Sequence, residues 1–105
     1  MSPRITYQGA CVLQALSRGR SYGFDIMDFT ALPSGTVYPI LRRLEDNGLV
    51  RSEWEDSEEA HGDRRPRRRN YELTEGGRAA LALADERLAL HRQIFGSTPE
   101  TGEVT

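Results

Sequence analysis

The sequence predicts a small, mainly α-helical fold with one β hairpin and a long closing helix. Three observations carry that prediction. Apolar residues recur at helical spacing in three successive stretches before Asn47-Gly48. The apolar period then drops from about 3.6 to about 2 residues around Val50–Trp54 and again at Tyr71–Leu73. A last helical stretch follows Thr74 and carries two apolar rows where one would suffice for docking.

In the first helix, Ile5, Gly9, Val12, Leu13 and Leu16 share one face, and Gly19 supplies a stop. Cys11 flanks that face as a small apolar filler. Ser21 is placed to cap a short second helix running to about Phe29, with Tyr22, Ile26 and Phe29 on one side. Residues 30–34 read as a turn, because Pro33 disfavours helix at Leu32.

The third helix starts from Ser34 as N-cap, and Val37, Ile40, Leu41 and Leu44 form its apolar stripe. Asn47-Gly48 ends it, with Leu49 able to fold back on Leu44. Opposite the stripe stand Gly35, Pro39, Arg42 and Asp46, flanked by Tyr38 and Arg43. Pro39 removes a backbone hydrogen bond and crowds Gly35, which a small, exposed first turn tolerates best.

Val50, Ser52 and Trp54 alternate with Arg51, Glu53 and Glu55 as a half-exposed strand, with Trp54 expected to pack beneath the hairpin. Residues 56–67 read as a polar loop, and the acidic stretch Glu53–Glu59 as solvated. Tyr71 and Leu73 mark the returning strand. Thr74 caps the last helix, whose rows are Leu81, Ala84, Leu88 and Phe95 and then Ala80, Leu83, Leu90 and Ile94. The expected organisation is a domain at 1–73, a dimerisation helix at 74–95 and a disordered tail at 96–105.

The 105 residues allow one domain with a modest core. A single cysteine excludes an internal disulfide, and His61 and His91 have no ligand partners in sequence, so no metal or cofactor is expected. No apolar run is long enough for a bilayer and no signal peptide is visible, so a cytoplasmic chain without membrane contact is expected. Nothing resembles a nucleophile–base pair or a phosphate-binding glycine loop, which argues against an enzyme. The net charge is −2, yet residues 64–69 hold five arginines, and all fourteen basic residues are arginine. Basic charge is local, and its fork geometry suits phosphate.

Three helices, a hairpin with a basic tip and a trailing helix make a winged helix-turn-helix, in which the third helix enters the DNA major groove. Ser34, Thr36 and Tyr38 can then bond phosphates, Arg42 can pair with the O6 and N7 edge of guanine, and Arg67, Arg68 and Arg69 on the wing can attract phosphate or a narrow minor groove. Gly35, Pro39 and Arg43 complete the groove face. A winged helix serving protein contact without DNA is the alternative.

The block Pro33-Ser34-Gly35-Thr36-Val37-Tyr38-Pro39, then Leu41-Arg42-Arg43-Leu44-Glu45 and Gly48-Leu49-Val50, closely resembles the recognition-helix signature of the PadR family of bacterial repressors. Leu73-Thr74-Glu75 with Gly77-Arg78 resembles that family's entry into its last helix, and the short C-terminal helix resembles its compact branch. The resemblance implies a homodimer formed through the last helix, here by Leu83, Leu90 and Ile94. It also implies repression at double-stranded operator DNA carrying an inverted repeat, relieved by a small-molecule inducer or another signal. Geometry suggests an inducer site between subunits, near Tyr7, Cys11, Leu88 and His91. Phe24 stands where the family usually has tyrosine, and Tyr22 lies two residues earlier. The places of the family's wing glycine and tyrosine pair are held here by Arg64, Asn70 and Tyr71, so Arg64 and Asn70 depart from the pattern.

Overall fold

A computed structural model describes residues 5–56, 62 and 66–95. The expectations for His61, Arg64, the far end of the acidic stretch and the tail from 96 lie outside the described residues. The order is α1 (Tyr7–Ser17), α2 (Gly23–Thr30), α3 (Ser34–Asp46), β1 (Val50–Trp54), β2 (Arg69–Leu73) and α4 (Glu75–Phe95). This is the predicted mainly helical fold with a two-stranded antiparallel hairpin.

Thr6 caps α1, its Oγ1 accepting from the Gly9 amide at 3.0 Å. Gly9, Val12, Leu13 and Leu16 are buried as the spacing requires. Gly19 closes the helix in the left-handed region, at φ 86°. In α2 the expected cap differs. Tyr22, not Ser21, is the capping residue, and no side chain bonds the helix start. The Ser21 carbonyl instead accepts from the Tyr71 amide at 2.8 Å, and Tyr22 bridges to Asn70. The chain before α2 thus borders the sheet, a long-range pairing that local capping rules cannot foresee.

Helix α3 begins one residue earlier than expected, with Pro33 as its N-cap and Ser34 already helical. The Val37, Ile40, Leu41 and Leu44 stripe is buried as predicted. At its end Gly48 adopts φ 74°, the Gly48 amide donates to the Glu45 carbonyl, and the Leu49 amide donates to Leu44 at 2.9 Å. That is the Schellman arrangement, with buried Leu49 and Leu44 as its apolar closure.

The hairpin register pairs Val50 with Leu73 and Trp54 with Arg69. Two expectations fail here. Trp54 is 53% exposed and not packed beneath the hairpin. Glu55, read as solvated, is buried. Phe29 also does not pack fully inward; it is partly exposed, with the Arg20 guanidinium 5.4 Å from its ring centroid.

One core joins α1, α2, α3, the hairpin and the start of α4 through Leu13, Ile26, Val37, Leu41, Val50, Tyr71 and Leu81. Full burial of an aliphatic side chain of this kind contributes roughly 1.5–3 kcal/mol. Thr74 joins α4 to the turn after α3: its Oγ1 accepts from the Gly77 amide and donates to the Gly48 carbonyl at 2.7 Å. Beyond Leu81, α4 presents Leu83, Leu90 and Ile94 at 43%, 54% and 63% exposure.

Candidate nucleic-acid interface

Burial of the α3 stripe turns the opposite side of the helix outward. Ser34, Gly35, Tyr38, Pro39, Arg42, Arg43 and Asp46 are exposed there, and Thr36 is partly so. Added bulk at Gly35 would meet nothing within 4 Å, so the first turn is open to close approach by another backbone. Arg42 and Arg43 form no ion pair among the described residues. Their donors are available to an external acceptor. Tyr38 is not wholly free, because its phenol end lies against buried Gly23 of α2.

The basic residues of the wing are held more firmly than their charge alone suggests. Arg69 donates from Nε to Ser52 Oγ at 2.8 Å, and Ser52 donates to Glu45 Oε2 at 2.7 Å. Glu45 is in turn 3.7 Å from Arg69 Nη2, so α3, β1 and β2 share one closed polar ring. Arg67 donates to the Glu55 carbonyl at 2.9 Å. The Arg67 and Arg69 guanidiniums lie 5.8 and 5.4 Å from the Trp54 ring centroid. Arg68 bonds Glu55 and lies over Tyr22.

Tyr71 sits between helix and wing. Burial pushes its phenol above the ordinary range, Arg69 and Arg42 pull it back, and Tyr38 and Glu45 push it up further. Groups from both α3 and β2 therefore act on one hydroxyl. The cross-strand pair Arg51–Glu72, at 2.8 Å, is exposed and holds the far side of the hairpin; the bond to Glu72 raises the Arg51 guanidinium's pKa.

An open groove of about 940 Å³ runs between α1 and α4. Tyr7, Leu88 and His91 line it together with Arg87, whereas Cys11 is not among its lining residues. Leu83 also borders it, while Leu90 and Ile94 lie outside the lining. Among the described residues no cluster could hold a metal ion, and no helix is long and apolar enough to cross a membrane.

Sequence reasoning missed Glu45, Ser52 and Glu55 as participants, and raised Tyr22 only beside the family's tyrosine position, not as a partner of Arg68. The hairpin register could have paired Trp54 with Arg69, but nothing local marks Glu55 as the buried member of an acidic run.

The model of the transcriptional regulator PadR-like family matches residues 12–83, from inside α1 to the middle of α4. A PadR family transcription regulator from Clostridium difficile R20291 shares the fold, with a TM-score of 0.76 at 24% identity over 87% of this chain and 96% of that one. A PadR family transcriptional regulator from Eggerthella lenta DSM 2243 is 27% identical over 90% of this chain and 86% of that one, with a TM-score of 0.68. BpsR of Bordetella bronchiseptica, whose DNA binding is regulated by 6-hydroxynicotinic acid, is 28% identical with a TM-score of 0.64, over 94% of this chain and 68% of that one. No curated protein matches by sequence.

Proposed function

The chain belongs to the PadR-like family of transcriptional regulators, and from that premise we propose that it is a homodimeric repressor reading an inverted-repeat operator. As a member of that family it is a DNA-binding regulator and not an enzyme. The observation that supports the finer reading is the exposed α3 face, with Arg42 and Arg43 free of ion pairs among the described residues, beside the arginine-bearing hairpin. Ser34 and Thr36 bond phosphates at the start of α3, where the helix dipole favours an anion. Gly35 and Pro39 keep that turn low against the groove. Arg42 reads a base edge, Tyr38 and Arg43 flank it, and Arg67 and Arg69 attract phosphate from the wing.

Dimerisation runs through Leu83, Leu90 and Ile94. An inducer is bound in the groove between α1 and α4 near Tyr7, Leu88 and His91, and relieves repression by favouring another spacing of the two reading heads. The regulation of BpsR by a small molecule supports that part of the reading. The proposed parts are 1–73 for DNA binding and 74–95 for dimerisation.

Enrichment of duplexes from a random library, followed by titration at several salt concentrations, tests the assignment. Arg42→Ala should cost on the order of 1–3 kcal/mol on the enriched duplex and much less on a scrambled one. Arg67→Ala should weaken both alike and flatten the salt slope by about one unit for each phosphate it no longer neutralises. Equal losses on both duplexes from Arg42→Ala would remove that residue from base reading.

A further inference from the structure

Arg68 differs from its neighbours in what holds it. Its guanidinium is 3.9 Å from the centroid of the Tyr22 ring, well inside the distances at which Arg67 and Arg69 lie from Trp54. Its Nη2 lies 3.4 Å from Glu55 Oε2, and its backbone amide donates to Glu55 Oε1 at 3.2 Å. The Glu55 side chain is only 3% exposed. A carboxylate that deep persists only when paired and hydrogen-bonded. The Glu55 amide returns a bond to the Arg68 carbonyl at 2.8 Å, just beyond the last strand pair.

Tyr22 connects this corner to the reading apparatus. It is the N-cap of α2, it bridges to Asn70 of β2, and the next residue, Gly23, lies against the phenol of Tyr38 on α3. Residues 22, 55 and 68 are distant in sequence, yet together they join the entry of α2 to the open end of the hairpin. We propose that Tyr22, Glu55 and Arg68 form a clasp that fixes the angle between wing and α3, so that Tyr22 and Arg68 are positioning residues for DNA recognition.

The chemistry suits that role. A planar guanidinium can offer its face to an aromatic ring and its edge to a carboxylate at once, which an ammonium cannot. Here the face lies over Tyr22 and one edge donor turns to Glu55, so the orientation of the guanidinium is set from two sides. The ring of Tyr22, not its hydroxyl, makes the contact. This assignment rests on the reading of α3 and the wing as the DNA-binding surfaces.

The test uses the full chain, a duplex enriched from a random library and its scrambled counterpart. Trp54, the only tryptophan, lies next to Glu55 and reports wing mobility through acrylamide quenching. Tyr22→Phe should bind as the unmodified protein does. Tyr22→Leu and Arg68→Lys should each lose about tenfold on the enriched duplex and less than about twofold on the scrambled one, with faster Trp54 quenching and an unchanged salt slope. Arg68→Lys keeps a cation for Glu55 and guards against loss through misfolding alone. The assignment is overturned if Tyr22→Phe loses as much as Tyr22→Leu, if Arg68→Lys binds normally, or if Trp54 quenching stays unchanged. Equal losses on both duplexes would overturn it too. If the unmodified protein enriches no duplex, the functional reading fails, while the quenching measurements still decide whether the clasp holds the wing.

Discussion

Gly76 and Gly77 are neighbours on the first turn of α4, yet they meet different surroundings. A Cβ at Gly77 would collide with the Leu49 carbonyl oxygen, which is backbone and has no room to yield. A Cβ at Gly76 would make only ordinary contacts, at 3.5–3.6 Å. Gly77→Ala should therefore destabilise the fold by roughly 1–3 kcal/mol, as overpacking does. Gly76→Ala should be neutral or stabilising by up to about 1 kcal/mol, through helix propensity. Urea unfolding of the two variants checks this, and equal midpoints would show that close approach is not what Gly77 serves. Tyr71 gives a pH-dependent counterpart. Its phenol is raised above the ordinary value of 10.0 by burial, so its contribution to stability is intact below that pH and is lost as pH rises through the folded value. Tyr71→Phe should flatten the alkaline loss of stability, as thermal melts between pH 9 and 11 (about one unit either side of the ordinary phenol value) would show.

Helix α3 carries an element-scale oddity in Pro39, which is exposed within the helix and cannot bond the Gly35 carbonyl. Pro39→Ala restores that bond and should stabilise the isolated protein by up to about 3 kcal/mol, read as a rise in melting temperature. An unchanged melting temperature would mean that the first turn already compensates. The same helix explains what is legible in advance. Its buried stripe, its Gly48 stop and the Leu49 closure all follow from spacing and φ preferences within a few residues. Pro33 displaces Ser34 as cap by one position, a difference of the size expected where termini are read from residue type. The other departures are of another kind. Ser21 pairs with β2, buried Glu55 meets Arg68, and Trp54 stays exposed beside two arginines. Each depends on a partner more than ten residues away, and no local period encodes it. Of the candidate interface, the α3 face is therefore legible, whereas the bracing of the wing is not.

At the scale of the whole molecule, the described α4 keeps its first turns in the core through Leu81 and leaves Leu83, Leu90 and Ile94 outward. If that surface joins two copies, Leu83→Glu with Leu90→Glu should yield monomers by sedimentation at micromolar concentration, with greatly weakened operator binding and a preserved far-ultraviolet spectrum. A monomeric unmodified protein would sink the dimer proposal. The joint at the base of α4 has a mechanical consequence. Thr74 grips the Gly48 carbonyl and Gly77 abuts that of Leu49, so α4 is seated on the very turn that ends α3. Its 21 residues make a lever about 30 Å long. A tilt of only about 6° at the fulcrum sweeps the far end through about 3 Å, close to the rise of one base pair. Were two copies joined through this helix, gearing of that ratio would throw their reading heads out of step with a fixed half-site spacing.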